Sequence, residues 1–177
     1  IMLKKKAPLE SWVDKQTNIS IPHRIHRGLQ RTHQYNIGLP PKHNKILVVD
    51  VDKWKMLYSE DRDPETSELF LKTYPNFIQQ FDTLTVRTPK GFHLYFQYEE
   101  GFSSTQSAYD VDIRSDTGYV VGVGSIVKGD TKLDEHTWEY TIVNDTTIKC
   151  IPEDLKLWLT TYVYSSASKK NTKKSKI

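Results

Sequence analysis

The chain reads as an α+β fold, with helices packed on one face of a mainly antiparallel sheet. Three observations predict this. Short β-branched and aromatic runs occur at residues 46–52, 92–98 and 111–114, each of strand length. Helix-type spacing of Leu69, Phe70 and Tyr74, resumed by Phe77, Ile78 and Phe81, fills the gap between the first two runs. Turn residues, Thr88-Pro-Lys-Gly91 and Asp116-Thr-Gly118, join later strands by the short links that antiparallel pairing allows.

Taken in order, residues 9–13 read as a short helix start. Residues 21–43, rich in His, Arg and Pro, read as loop. Residues 46–52 are a continuous apolar run, hence a buried strand. Asp63-Pro64 offers an N-cap followed by a proline at the first helical position, and the helical spacing then runs to Pro75 and beyond. Residues 84–87 and 92–98 form a hairpin around the Thr88–Gly91 turn. Residues 101–109 are polar loop, and 111–114 and 119–123 are strands. Residues 138–143 alternate and read as one further strand. Ile151-Pro-Glu-Asp154 opens a helix through Trp158 to about residue 162. Residues 165–177 carry almost no apolar side chain and read as a disordered Lys/Ser tail. The expected organisation is one domain over 1–164 followed by that tail.

Composition excludes more than it identifies. The hydrophobic share of 37% is low but compatible with a core. Lys and Arg outnumber Asp and Glu by 25 to 22, and a net charge of +3 is too mild to name nucleic acid as the partner. The lone Cys150 rules out an intramolecular disulfide framework and fits a reducing, intracellular compartment. No apolar run approaches the length of a membrane span, and no secretory signal pattern is visible. The Ile-Met start and the Lys/Ser end suggest a piece of a longer protein.

The chemistry lies in the strands. Val48-Val-Asp-Val-Asp52, Phe92-His-Leu-Tyr-Phe96 and Val111-Asp-Ile-Arg114 each break an apolar run at alternate positions. Alternate side chains point to one face, so Asp50 with Asp52, His93, and Asp112 with Arg114 would share a polar face of one sheet. Asp50 and Asp52 lie about 6.5–7 Å apart along a strand and can converge on one ion, with Asp112 completing the site. Oxygen-only sites of this kind suit Mg²⁺ or Mn²⁺, and a carboxylate trio holding two ions is the equipment of phosphoryl or nucleotidyl transfer. The plain alternative is a solvated strand face with Asp–Lys pairs, against which stands the depletion of Asp in strands.

His93 reads either as a hydrogen-bonded boundary histidine or as a donor to a triphosphate. Arg114 reads as a salt-bridge partner of Asp112 or as a bidentate phosphate clamp. Arg87 and Lys90 flank the turn before His93 and are phosphate or template candidates. Arg24, Arg27 and Arg31, with Tyr35, can contact a nucleic-acid backbone or belong to a solvated loop. His23, His26, His33 and His43 lack the spacing of a zinc site. Gly122-Val-Gly124-Ser125 is not a Walker loop, since the glycine-lysine-hydroxyl ending is absent, but it lets backbone approach a ligand closely. Trp12, Trp54, Trp138 and Trp158 read as core or boundary residues, and the Lys-rich tail as a linker able to add non-specific DNA affinity.

These motifs, together with Asn36-Ile-Gly38, Thr88-Pro-Lys-Gly91 and Ser115-Asp-Thr-Gly-Tyr-Val-Val121, resemble in order and spacing the primase-polymerase (Prim-Pol) domain of the archaeo-eukaryotic primase superfamily. Trp138-Glu-Tyr140 resembles the closing strand of that domain, so the likeness runs over roughly residues 36–158. It implies an RRM-like catalytic sheet joined to a small second α/β subdomain. It also implies that Asp50, Asp52 and Asp112 are metal ligands and His93 the nucleotide-binding histidine, with Arg114, Ser125 and Lys128 in support. The chain departs from the pattern near His93, where many members carry a second Gly or a Ser. It departs again at Gly122-Val-Gly-Ser125, where many read Pro-Pro-Ser.

The resemblance implies a template-dependent nucleotidyltransferase, a DNA primase/polymerase using two Mg²⁺ or Mn²⁺ ions. Its partners would be a single-stranded DNA template and nucleoside triphosphates, with a helicase domain on the same full-length chain and no membrane. Such domains serve plasmid, phage and large-virus replicons, which places the protein in the host cytoplasm or nucleus. One rival is a metal-dependent nuclease or replication initiator, disfavoured by the lack of a His-x-His pair. The other is a single-stranded nucleic-acid-binding module without catalysis, against which stands the intact carboxylate set.

Overall fold

A computed structural model describes residues 2–4, 7–8, 35–52, 69–106, 110–128 and 137–165. The expected helix starts at 9–13 and Asp63-Pro64, Trp12, Trp54, the histidines at 23, 26 and 33, Arg24, Arg27 and Arg31, and the tail beyond Ser165 lie outside the described residues.

The elements, in chain order, begin with strands β1 (Met2–Lys4), β2 (Ala7–Pro8) and β3 (Tyr35–Leu39), a single helical turn α1 (Pro41–Asn44), and strand β4 (Ile46–Val51). Helices α2 (Leu69–Thr73) and α3 (Phe77–Phe81) precede the hairpin β5 (Thr85–Arg87) and β6 (Phe92–Gln97). Then come β7 (Thr105–Gln106), β8 (Val111–Arg114), β9 (Val120–Val121), β10 (Ile126–Lys128), β11 (Thr137–Glu139) and β12 (Thr141–Asn144). The last helix, α4 (Glu153–Trp158), continues as a π-helical turn over Leu159–Tyr164. The class is α+β and mainly antiparallel.

The principal sheet has six strands in the order β12-β5-β6-β4-β8-β7, with every neighbouring pair antiparallel. β4 sits at its centre because its sequence, Ile-Leu-Val-Val-Asp-Val, is apolar on both faces for four residues. Leu47, Val49 and Val51 face the helices, where they pack with Leu94, Phe96, Val111 and Ile113 against Phe70, Tyr74, Phe77, Phe81, Leu155 and Trp158. Phe70 anchors this layer, its ring 5.3 Å from Tyr74, 5.8 Å from Phe77 and 5.2 Å from Trp158. Burying a side chain of that size stabilises by about 1.5–3 kcal/mol. Pro75 separates α2 from α3, as the lack of a donor and the fixed φ of proline require.

The opposite face is not simply polar. Ile46, Val48, Val86 and Tyr95 form a second core there with Val120, Val121, Val127 and Tyr140. Those last residues come from a second layer, a four-stranded sheet of order β2-β1-β3-β9 beside the hairpin β10–β11. Among the described residues this second unit consists of strands.

Four local readings are corrected. Residues 35–43 lie within the expected loop yet form β3 and most of α1, and Asn36 and Ile37 find partners about ninety positions downstream that local pattern cannot show. The expected loop at 101–109 contributes β7, an edge strand on β8. The strands on either side of Asp116-Thr-Gly118 do not pair with each other: β8 belongs to the six-stranded sheet and β9 pairs with β3. Finally, 138–143 is not one strand. It divides at Tyr140, with β11 pairing β10 and β12 pairing β5.

Candidate active site

Register places the predicted polar residues in one row. Asp50 in β4 lies directly opposite His93 in β6 on one side and Asp112 in β8 on the other. Val86 and Gln106 extend the row to β5 and β7. Directly opposed residues have Cβ atoms about 4.5–5.5 Å apart and share a face, so Asp50 is flanked by an imidazole and a second carboxylate. The row shares its face with the second core, which takes in Val86.

Each carboxylate in the row has a nitrogen partner beside it, an imidazole at Asp50 and a guanidinium at Asp112. His93 Nε2 stands 3.5 Å from Asp50 Oδ1, and the Arg114 guanidinium donates to Asp112 Oδ2 at 3.0 Å. Like charges on directly opposed positions destabilise a sheet, and these contacts offset that repulsion. All of these groups are largely buried, with side chains 7% exposed for His93, 17% for Asp50 and 13% for Asp112. Of the two readings of Arg114, the ion pair is present.

Asp52 follows β4 directly, and its main-chain N–H donates to the Asp110 carbonyl at 2.8 Å. Asp110 was not singled out from the sequence. It occupies the left-handed region at φ 54°, a conformation Asp tolerates better than most residues. The available signal was symmetry: Asp110-Val-Asp112 repeats Asp50-Val-Asp52 on the antiparallel neighbour.

The Thr88–Gly91 turn is held by its own threonine. Thr88 Oγ1 accepts from the N–H of Lys90 at 3.2 Å and of Gly91 at 2.9 Å, and Thr88 N–H donates to the Gly91 carbonyl at 2.9 Å. That fixes the backbone of the turn that carries Lys90. Arg87 is not brought together with the carboxylates. It pairs with Phe92, whose ring packs into the helical core, so Arg87 belongs to the other face.

Ser125 is 2% exposed and accepts from the Ile37 N–H at 3.1 Å. Its carbonyl accepts from the Tyr140 N–H at 2.9 Å. Asn36 clamps the next residue, its amide donating to the Ile126 carbonyl and accepting from the Ile126 N–H, both at 2.8 Å. The small-residue stretch is thereby stitched to β3. A Cβ on Gly122 would meet Leu39 at 3.3 Å, which gives glycine a packing reason there. Lys128 lies in β10 opposite Thr137.

Two tyrosines also missed from the sequence enclose His93. The Tyr95 ring centroid is 6.2 Å from the imidazole and that of Tyr140 is 5.8 Å away. Burial, and secondarily the Asp50 charge, push the Tyr95 phenol well above its ordinary pKa, so it stays protonated.

The donor chemistry of Asp50, Asp52 and Asp112 fits a hard divalent cation. Among the described residues, however, no three His, Cys, Asp or Glu side chains stand together as a metal-holding group. As they stand, Asp50 and Asp112 are turned to His93 and Arg114.

The family described as bifunctional DNA primase/polymerase, N-terminal (Prim-Pol), matches residues 2–154. The chain belongs to the Prim-Pol family. That assigns it to the DNA primase/polymerase class of nucleotidyltransferases, whose substrates are DNA and nucleotides. No curated protein matches it. The Prim-Pol match begins at residue 2 and so takes in β1, which pairs with the strand carrying Asn36-Ile-Gly38. Among the described residues no helix is long and apolar enough to cross a membrane.

Proposed function

We propose that the Asp50–His93–Asp112 row is the nucleotidyl-transfer site of a template-dependent DNA primase/polymerase. The observation that carries this reading is the register itself: Asp50 opposes His93 and Asp112 at once, across three adjacent strands. Nothing in packing requires two carboxylates there, and their partners are the His93 imidazole and the Arg114 guanidinium. The order β5-β6-β4-β8, with helices over one face, supports an RRM-like reading of the catalytic sheet.

In this reading Asp50, Asp52 and Asp112 hold two Mg²⁺ or Mn²⁺ ions. When bound, such ions lower the pKa of an attacking hydroxyl and stabilise a leaving pyrophosphate. The chain's own residues bind and orient. His93, opposite Asp50 in the row, donates a hydrogen bond to the incoming nucleotide's triphosphate. Arg114, paired with Asp112 at 3.0 Å, is placed to turn to phosphate once Asp112 is otherwise engaged. Lys90 adds positive charge at the turn. The second layer limits access of water from the side of Val48 and Tyr95, which strengthens each electrostatic contact. The template is a single DNA strand, held mainly through its phosphates by Arg24, Arg27 and Arg31, and the chain forms the N-terminal part of a longer replication protein with a helicase domain.

The test is incorporation of labelled nucleotides on a primed and an unprimed single-stranded template with Mg²⁺ or Mn²⁺. Extension supports the reading. Cleavage of the template would replace it with a nuclease, and binding without either would reduce the domain to a nucleic-acid-binding module.

A further inference from the structure

The chain crosses from the two-stranded β10–β11 sheet to the six-stranded sheet at Tyr140, and the crossing is anchored on both sides of that residue. Tyr140 N–H donates to the Ser125 carbonyl at 2.9 Å, and the Gly124 N–H donates to the Tyr140 carbonyl at 2.8 Å. β11 precedes Tyr140 and pairs with β10, while β12 follows it and pairs with β5. Tyr140 is only 5% exposed. Its ring lies 5.8 Å from the His93 imidazole at an interplanar angle of 49°, and Tyr95 closes the other approach at 6.2 Å and 64°. Both separations fall in the range of interacting aromatic pairs. An imidazole bounded in this way keeps one orientation, with Nε2 toward Asp50.

We infer that Tyr140 is a positioning residue: the Gly122–Ser125 loop holds its backbone, and its ring holds the His93 imidazole in the orientation that sets Nε2 toward Asp50. This gives the loop a role at the site without any contact to nucleotide, since Ser125 is buried and its hydroxyl accepts from Ile37. It also explains why one alternating run, Thr137–Asn144, serves two sheets: the break sets Tyr140 against His93. The inference rests on the reading of His93 as the nucleotide-binding histidine.

The test is a double-mutant cycle in nucleotide incorporation on the full chain, with Tyr140→Phe and Tyr140→Leu each placed in the wild-type and His93→Ala backgrounds. Tyr140→Phe keeps the ring and should retain activity within about twofold, the scatter of independent effects. Tyr140→Leu should lower kcat/KM for nucleotide by about tenfold or more, the scale on which misplaced groups act, with single-stranded DNA affinity unchanged. In the His93→Ala background Tyr140→Leu should cost less than about twofold further, because its effect runs through the missing imidazole. Equal losses in both backgrounds, or a Phe variant as impaired as the Leu variant, would overturn the inference. Should Tyr140→Leu fail to fold, Gly124→Ala replaces it. That glycine sits at φ +77° with open space around an added Cβ, so alanine strains the loop's grip on Tyr140 without a clash. Its loss should likewise vanish in the His93→Ala background, and persistence of the loss there counts against the inference. If His93→Ala alone leaves incorporation intact, the reading of His93 fails, whereas an impaired His93→Ala with a silent Tyr140→Leu removes only the positioning role.

Discussion

Replacing Asp50 by Asn removes one charge from the row and keeps its shape. Asp50 and Asp112 occupy directly opposed positions. Unit charges about 5 Å apart at an effective dielectric of about 20 repel by about 3 kcal/mol. The attraction of His93, 3.5 Å from Asp50, is lost at the same time, and the two changes oppose each other. Asp50→Asn should therefore leave the ion-free melting temperature unchanged or raise it by a few degrees, since 1 kcal/mol is worth about 2–4 °C at this size. Manganese changes the comparison. An ion present at about a hundred times its dissociation constant stabilises the native protein by about 2.7 kcal/mol, or about 5–10 °C. The wild type should show that rise and Asp50→Asn most of its absence. Thermal melts of both proteins in EDTA and in titrated Mn²⁺ make the measurement, with incorporation assayed on the same preparations. A large fall in the ion-free melting temperature of Asp50→Asn would make the aspartate part of a structural network, and an undiminished Mn²⁺ shift would place the ion elsewhere.

Further outcomes follow from the same physics. Phe70→Ala should cost about 3–5 kcal/mol, read as a lower urea midpoint, because three aromatic rings lose their shared partner. Burial alone would raise the Asp116 pKa, but hydrogen bonds from Ser104, from its own N–H and from Thr117 outweigh it and hold the carboxyl below its ordinary value. A depressed carboxyl contributes stability above its unfolded-state pKa of about 3.9 and loses it as pH falls through the folded value. Asp116→Asn should flatten that acid limb in urea melts between neutral pH and about pH 3; an unchanged limb would exclude Asp116 as its source. Affinity for single-stranded DNA should fall with salt at a log–log slope of about −0.7 per phosphate contact. Truncation after Tyr164 should weaken that affinity modestly with the melting temperature unchanged, and unfolding of the truncated chain would contradict the tail's reading as a linker.

Alternation made the row legible. In Val48-Val-Asp-Val-Asp52, Phe92-His-Leu-Tyr-Phe96 and Val111-Asp-Ile-Arg114 the polar residues fall at period two, and period two decides the face. Register was not legible, and register decides which residues meet: it puts His93 and Asp112 on opposite sides of Asp50, and it sends Arg87 to the Phe92 row on the helical face. Residues 137–144 show the other limit. Their alternation is continuous, yet the backbone changes sheets at Tyr140 because its two flanks have different long-range partners. Strands as short as β2 and β7 carry no periodic signal, and they exist only because a longer strand offers its edge.

The central claim, that the row holds divalent ions for nucleotidyl transfer, is met most directly by anomalous scattering from a crystal of the protein grown with Mn²⁺ and a non-hydrolysable nucleoside triphosphate. The account predicts Mn²⁺ peaks in contact with Asp50 and Asp112, with the triphosphate reaching His93 and the Arg114 guanidinium turned from Asp112 toward phosphate. Nucleotide bound with no Mn²⁺ at Asp50 or Asp112, and Arg114 still paired as in the ion-free protein, would contradict it.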